Sequence, residues 1–94
     1  MRKRTSAKRL AGDLGVPVSR GIEATIKAQL VAAVVQEVQR LKLTHAELAK
    51  RSGLARSAVT GILSGSLQRI TIDRVLRLVE AAGLEAEIKV RRAA

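Results

Sequence analysis

Residues 44–65 read THAELAKRSGLARSAVTGILSG, the pattern of two short helices joined by a tight turn. Leu48 and Ala49 fall on the first helix, Gly53 at the turn, and Val59 and Ile62 on the second. Leu48, Val59 and Ile62 are the apolar contacts expected between the helices. Ala49 has to be small because the second helix crosses close to it. Gly53 supplies the left-handed backbone that ends one helix and aims the next at a steep angle. Thr44 and Glu47 have capping-box spacing, which satisfies two free backbone donors where the first helix begins. Gly65 is a fitting stop for the second.

An ordinary helical hairpin in a core uses similar apolar contacts. The residue types at this spacing, in a chain of net charge +10, favour the helix-turn-helix signature instead. With Val59 and Ile62 turned inward, Arg56, Ser57, Thr60 and Gly61 are left facing out. Arg56 can fork onto guanine O6 and N7, and Ser57 and Thr60 can bond a base edge or a phosphate. Gly61 costs about 1 kcal/mol of helix stability relative to Ala. Close approach of the helix to DNA would account for it. Ala58 is a candidate contact for a thymine methyl group if it faces outward. His45, in the first turn of the first helix, is placed to reach a phosphate with help from the helix dipole, or is simply an exposed surface histidine. Lys50 and Arg51 suit the dipole at the end of that helix.

The rest of the chain is read from this motif outward. Upstream, Ile22, Ile26, Leu30, Val34, Val38 and Leu41 recur at helical spacing, and Ala24, Ala28, Val31 and Val35 widen the stripe. They predict one long helix over about residues 20–41, with Ser19 as its cap. The stripe either covers the rest of its own domain or, over its first half, packs on a second subunit or another protein. Gly12, Gly15 and Pro17 mark a turn ahead of it. Residues 1–13, MRKRTSAKRLAGD, read as a basic arm, either a phosphate- or minor-groove-binding element or a solvated terminus.

Downstream, residues 66–70 form a loop in which Arg69 is a candidate phosphate contact. Thr71 starts a last helix with Asp73 in its first turn. Ile72, Val75, Leu76, Val79 and Ala82 are its expected inward face, with Leu78 near the boundary, and Gly83 stops it. Residues 84–91 change period. Leu84, Ala86, Ile88 and Val90 alternate with Glu85, Glu87, Lys89 and Arg91, a strand pattern. A single strand leaves its backbone groups unpaired, so a second copy paired antiparallel across a two-fold axis is the simplest partner.

Composition bounds what such a chain does. Its 94 residues make one small domain. Nearly half are apolar, at 47%, yet Phe, Tyr and Trp are missing, so the core must be aliphatic. The 18 Lys and Arg against 8 Asp and Glu point to a polyanionic partner. Missing aromatics argue against single-stranded nucleic acid, whose bases stack on rings, and leave duplex DNA. Without cysteine, and with one histidine, neither a thiolate metal site nor a catalytic triad can be assembled. No cofactor, no metal and no enzymatic activity are expected. The longest apolar run is too short to span a membrane, and the basic N-terminus is not followed by a secretory apolar segment. A cytoplasmic, nucleoid-associated protein is the expectation.

The motif, THAELAKRSG followed by LARSAVTGILSG, resembles the Cro/C1 (XRE) family of repressors. DLGVP ahead of a long helix, KAQL within it, and LQRITIDRVLRLVEAAGLEAEIKV resemble small XRE regulators related to HigA-type antitoxins, over about residues 13–91. The resemblance implies an all-α, lambda-repressor-like helix-turn-helix domain, of five helices or of four helices plus a strand. It implies a dimer with the second motif helix in the major groove. It puts Arg56, Ser57, Thr60 and Gly61 at groove-facing positions and His45 where the family usually has a phosphate-contacting Gln. Ala55 falls where a Ser or Thr commonly caps the second helix. Leu63 stands where many repressors carry a Glu, so that family's buried ion pair is absent.

The expected organisation is a basic arm (residues 1–13), a helix-turn-helix domain (14–83) and a C-terminal strand and tail for dimerisation (84–94). The expected function is sequence-specific duplex-DNA binding by a homodimeric transcriptional repressor. The alternatives are an antitoxin that neutralises a cognate toxin protein and represses its own operon, and a non-specific DNA-coating protein.

Overall fold

The computed structural model describes residues 18–92. Residues 1–13, read as a basic arm, and the turn marked by Gly12, Gly15 and Pro17 lie outside the described residues. Among those described, the elements are four helices: α1 (Val18–Leu41), α2 (His45–Ser52), α3 (Arg56–Leu63) and α4 (Ile72–Ala81). Helix α1, 24 residues long, packs along α4 and crosses α3, and α2 packs against both α3 and α4. At about 1.5 Å per residue α1 alone spans roughly 36 Å. It accounts for most of the 42 Å long dimension of the molecule.

Ser19 lies inside α1 rather than ahead of it, so it is not the cap expected from the sequence; the helix is already under way at Val18. The apolar stripe of α1 is used unevenly. Val31 and Val34 are buried, and Leu30, Val35 and Val38 pack on the core from its edge. Leu41 stays exposed at the end of the helix, and Ile22 because a row spaced by four residues drifts about 40° per step, which leaves it about 120° around the helix from buried Val34. Lys27, on the same face, is the one buried charged residue among those described. Its ammonium pairs with Glu23 at 3.0 Å. The helix ends on Lys42 in the left-handed region (φ 53°), where the Leu43 N–H reaches back to the Val38 carbonyl at 3.1 Å.

The core is entirely aliphatic. Leu48 of α2, Val59 and Ile62 of α3, and Val75, Leu78 and Val79 of α4 close on Val31 and Val34 of α1, with Ala81 and Ala82 at the edge. Leu78, expected near the boundary of α4, is fully buried, whereas Leu76, expected inside, is exposed. The two lie 200° apart around a helix of 3.6 residues per turn. The Val75–Leu78–Val79–Ala82 face meets α1, α2 and α3. Leu76 is left on the side where the chain returns.

Thr71 caps α4 by accepting from the Arg74 N–H at 3.3 Å. Gly83 (φ 80°) ends it, with the Leu84 N–H bonded to the Val79 carbonyl at 3.0 Å. Leu84 packs on the core, and residues 85–92 then run without helix or strand. The tail turns back over α1 and α4, so that Ala86 and Ile88 share a shallow groove with Ile26, Leu30, Ile72 and Leu76. The strand expected over residues 84–91 is not formed in the single chain, which offers no second strand to complete a ladder.

Candidate nucleic-acid interface

The motif is built as its residues dictate. The Thr44 hydroxyl accepts from the Glu47 N–H at 3.0 Å and starts α2. Gly53, at φ 75°, ends it with its N–H on the Ala49 carbonyl at 3.0 Å. A side chain is strained in that conformation, and this turn fixes the angle at which α3 leaves α2. Leu48, Val59 and Ile62 are fully buried between the helices and against α1 and α4. The opposite face of α3 carries Arg56, Ser57 and Thr60, all exposed, and half-buried Gly61.

Helix α3 has no side-chain cap. Ala55 precedes it in an extended conformation with nothing to accept from the first turn, so that turn's backbone donors remain available to an anion. No acidic residue stands in the first turn. Among the described residues Arg56 forms no ion pair, whereas the other motif arginine, Arg51, is engaged within the fold. Arg51 lies 4.0 Å from Glu47, and its guanidinium donates to the Ala81 carbonyl at 3.3 Å, closing the end of α4. A Cβ at Gly61 would meet nothing within 4 Å. The glycine is therefore not required by packing inside the chain.

His45 lies at the start of α2, and its Nδ1 is 2.7 Å from the Thr60 hydroxyl of α3. Nothing in the spacing of the sequence connects the two residues. The contact arises because the Gly53 turn brings the first turn of α2 over the middle of α3. A pair of polar residues at those motif positions is its only signal in the sequence. Arg69 is exposed in the connection after α3 but not joined to this group. It lines a separate cleft with Arg20, Glu23 and Lys27 of α1. Ala58, considered as a thymine contact, is half-buried and lines a cleft with Asp73, Arg74 and Arg77 beside α4.

The arrangement is a short helix held by its apolar face, presenting a guanidinium, two hydroxyls and free backbone donors outward. It suits a groove edged with hydrogen-bonding bases and phosphates. In agreement, residues 11–91 match the family model described as a helix-turn-helix domain, and the chain belongs to that family of DNA-binding folds. No curated protein and no solved structure matches the chain. Among the described residues no helix is long and apolar enough to cross a membrane.

Proposed function

We propose that this chain is a sequence-specific, duplex-DNA-binding transcriptional repressor that acts as a homodimer in the cytoplasm, without cofactor or catalytic activity. The observation that carries this reading is the outward face of α3. Arg56 is without an ionic partner among the described residues, Ser57 and Thr60 stand beside it, and Gly61 has open space where a Cβ would be. In this reading Arg56 reads guanine, Ser57 and Thr60 bond base edges or phosphate, and His45 and Arg69 add contacts along the backbone. Residues 1–13 form a basic arm, residues 14–83 the DNA-binding domain and residues 84–94 the dimerising tail. The tails of two copies would pair antiparallel about Ile88, setting Glu87 opposite the partner's Lys89 and Glu85 opposite the partner's Arg91. Opposite charges directly across a strand pair are favourable. Two recognition helices would then lie about 34–36 Å apart on a near-palindromic operator.

The test is fluorescence anisotropy with a labelled duplex from directly upstream of the gene, against a scrambled duplex, over a salt series. A preference on the order of 10³ that survives rising salt supports a specific autoregulatory repressor. Equal titration of both duplexes with a steep salt slope supports the DNA-coating reading.

An antitoxin of the XRE, HigA-related branch, neutralising a toxin and repressing its own operon, is the second reading. The resemblance of DLGVP, KAQL and residues 67–90 to that branch favours it, and the exposed Ile22, Leu76, Ile88 and Val90 offer apolar surface that a toxin could cover. A toxin-sized reading frame beside the gene, whose product co-purifies with this chain, would decide for it.

A further inference from the structure

The 2.7 Å contact between His45 Nδ1 and Thr60 Oγ1 joins a titratable ring to a hydroxyl on the outward face of α3. A threonine hydroxyl has one hydrogen. Where that hydrogen points decides whether the group offers DNA a donor or an acceptor. A ring nitrogen at this distance fixes the choice. When imidazole is neutral with Nδ1 unprotonated, the hydroxyl donates to Nδ1 and turns its lone pairs outward. When imidazole is protonated, both ring nitrogens are donors. Nδ1–H then gives its hydrogen to Oγ1, and the hydroxyl hydrogen must point away from the ring.

We infer that His45 is a positioning residue that sets, through Thr60, which base edge the recognition helix accepts, and that its protonation shifts this setting toward acceptor edges. The inference rests on the reading of α3 as the DNA-reading helix. With His45 neutral and its hydrogen on Nε2, Thr60 spends its own hydrogen on Nδ1 and can only accept, which matches the amino groups of cytosine N4 and adenine N6 in the major groove. With protonated His45, Thr60 gains a free donor and keeps one lone pair, which adds guanine O6 and N7, thymine O4 and adenine N7 to the edges it can meet.

Little else near the ring competes for this role. The cleft beside it is lined by Val35, Val38 and Gln39 of α1 and by Thr60, Leu63 and Ser64 of α3, none of them titratable. On its own helix the nearest acidic side chain is Glu47, which faces Arg51 at 4.0 Å. Protonation also adds a positive charge at the start of α2. That charge tightens binding to every duplex alike, whereas the change at the hydroxyl shifts preference at one base pair per half-site. The two effects separate in a sequence-resolved measurement.

The experiment is selection of bound duplexes from a randomised pool by the full chain, at about pH 5.5 and about pH 8, with salt held constant. Thr60→Val is run in parallel to identify the base position that depends on the hydroxyl. Wild type is expected to shift its preference at that position by about fivefold, from amino-bearing to acceptor edges, as pH falls, in proportion to one hydrogen bond. His45→Gln, which bonds Thr60 without titrating, is expected to give the same preference at both pH values. A wild-type preference unchanged with pH, while sequences are still enriched, overturns the inference and leaves the repressor reading standing. So does a pH shift that persists in His45→Gln. Failure to enrich any sequence at either pH overturns the DNA-reading assignment and the inference with it.

Discussion

Gly61 stands in the middle of a short helix, where Ala would be more stable by about 1 kcal/mol, and open space surrounds the position a Cβ would take. Nothing in the fold demands a glycine there. Gly61→Ala should therefore raise unfolding stability by roughly 0.5–1 kcal/mol in a urea titration and weaken binding to the preferred duplex. A stabilised variant with undiminished binding would remove close approach to DNA as the reason for the glycine. Arg56 has no ionic partner among the described residues, so Arg56→Ala should leave the fold intact. Its loss should cost about 1–3 kcal/mol at one base pair per half-site and relax preference there. Competition by duplexes substituted singly at each position measures this directly. These positions are legible in the sequence because helical periodicity decides which residues oppose Val59 and Ile62. The His45–Thr60 bond is not, since it joins residues 15 apart through a crossing angle that periodicity leaves open.

The helices differ in how much of their ends is encoded locally. Thr44 caps α2 through the Glu47 N–H, although the Glu47 carboxylate faces Arg51 and does not return the second bond of the expected capping box, and Thr71, expected only to start α4, also caps it. Helix α3 lacks such a cap at Ala55. Ala55→Ser should add about 1 kcal/mol of stability, read as a higher urea midpoint at unchanged slope. At the end of α1 the Arg40 guanidinium hydrogen-bonds Glu37 and holds that carboxyl below its ordinary value. The start of α1 and the face of α4 are less plainly encoded. Ser19 has the right chemistry for a cap, but the helix has already begun before it. Helix α4 carries apolar residues around more of its girth than one core face needs, so composition alone does not rank Leu76 against Leu78. The ranking comes from where α1 and the returning tail lie. Buried Lys27 is likewise concealed by a stripe of aliphatic neighbours, and its i,i+4 relation to Glu23 is the only sequence clue.

At the scale of the molecule, an aliphatic core under a long helix leaves apolar surface uncovered. Ile22 and Leu76 are partly exposed, and Ile88 and Val90 are 80% and 91% exposed on a tail with no strand partner. A strand is a property of two segments, so alternation in one sequence states a potential that a single chain cannot realise. If the tail pairs two copies as proposed, a chain ending at residue 83 should be monomeric by light scattering and bind an operator more weakly, with a shallower salt dependence, than the full chain. A truncated chain that stays fully dimeric would place the interface elsewhere, with the exposed end of α1 as the next candidate.

The outward side chains of α3 carry none of the core. Arg56, Ser57 and Thr60 lie on one side of the helix, and the fully buried Val59 and Ile62 on the other. Exchanges at such surface positions usually change stability by no more than about 0.5 kcal/mol. A duplicated copy of the gene could therefore acquire a new target by drift at a few codons, passing through no unfolded ancestor. The exception is Thr60, whose tie to His45 obliges those two codons to diverge together.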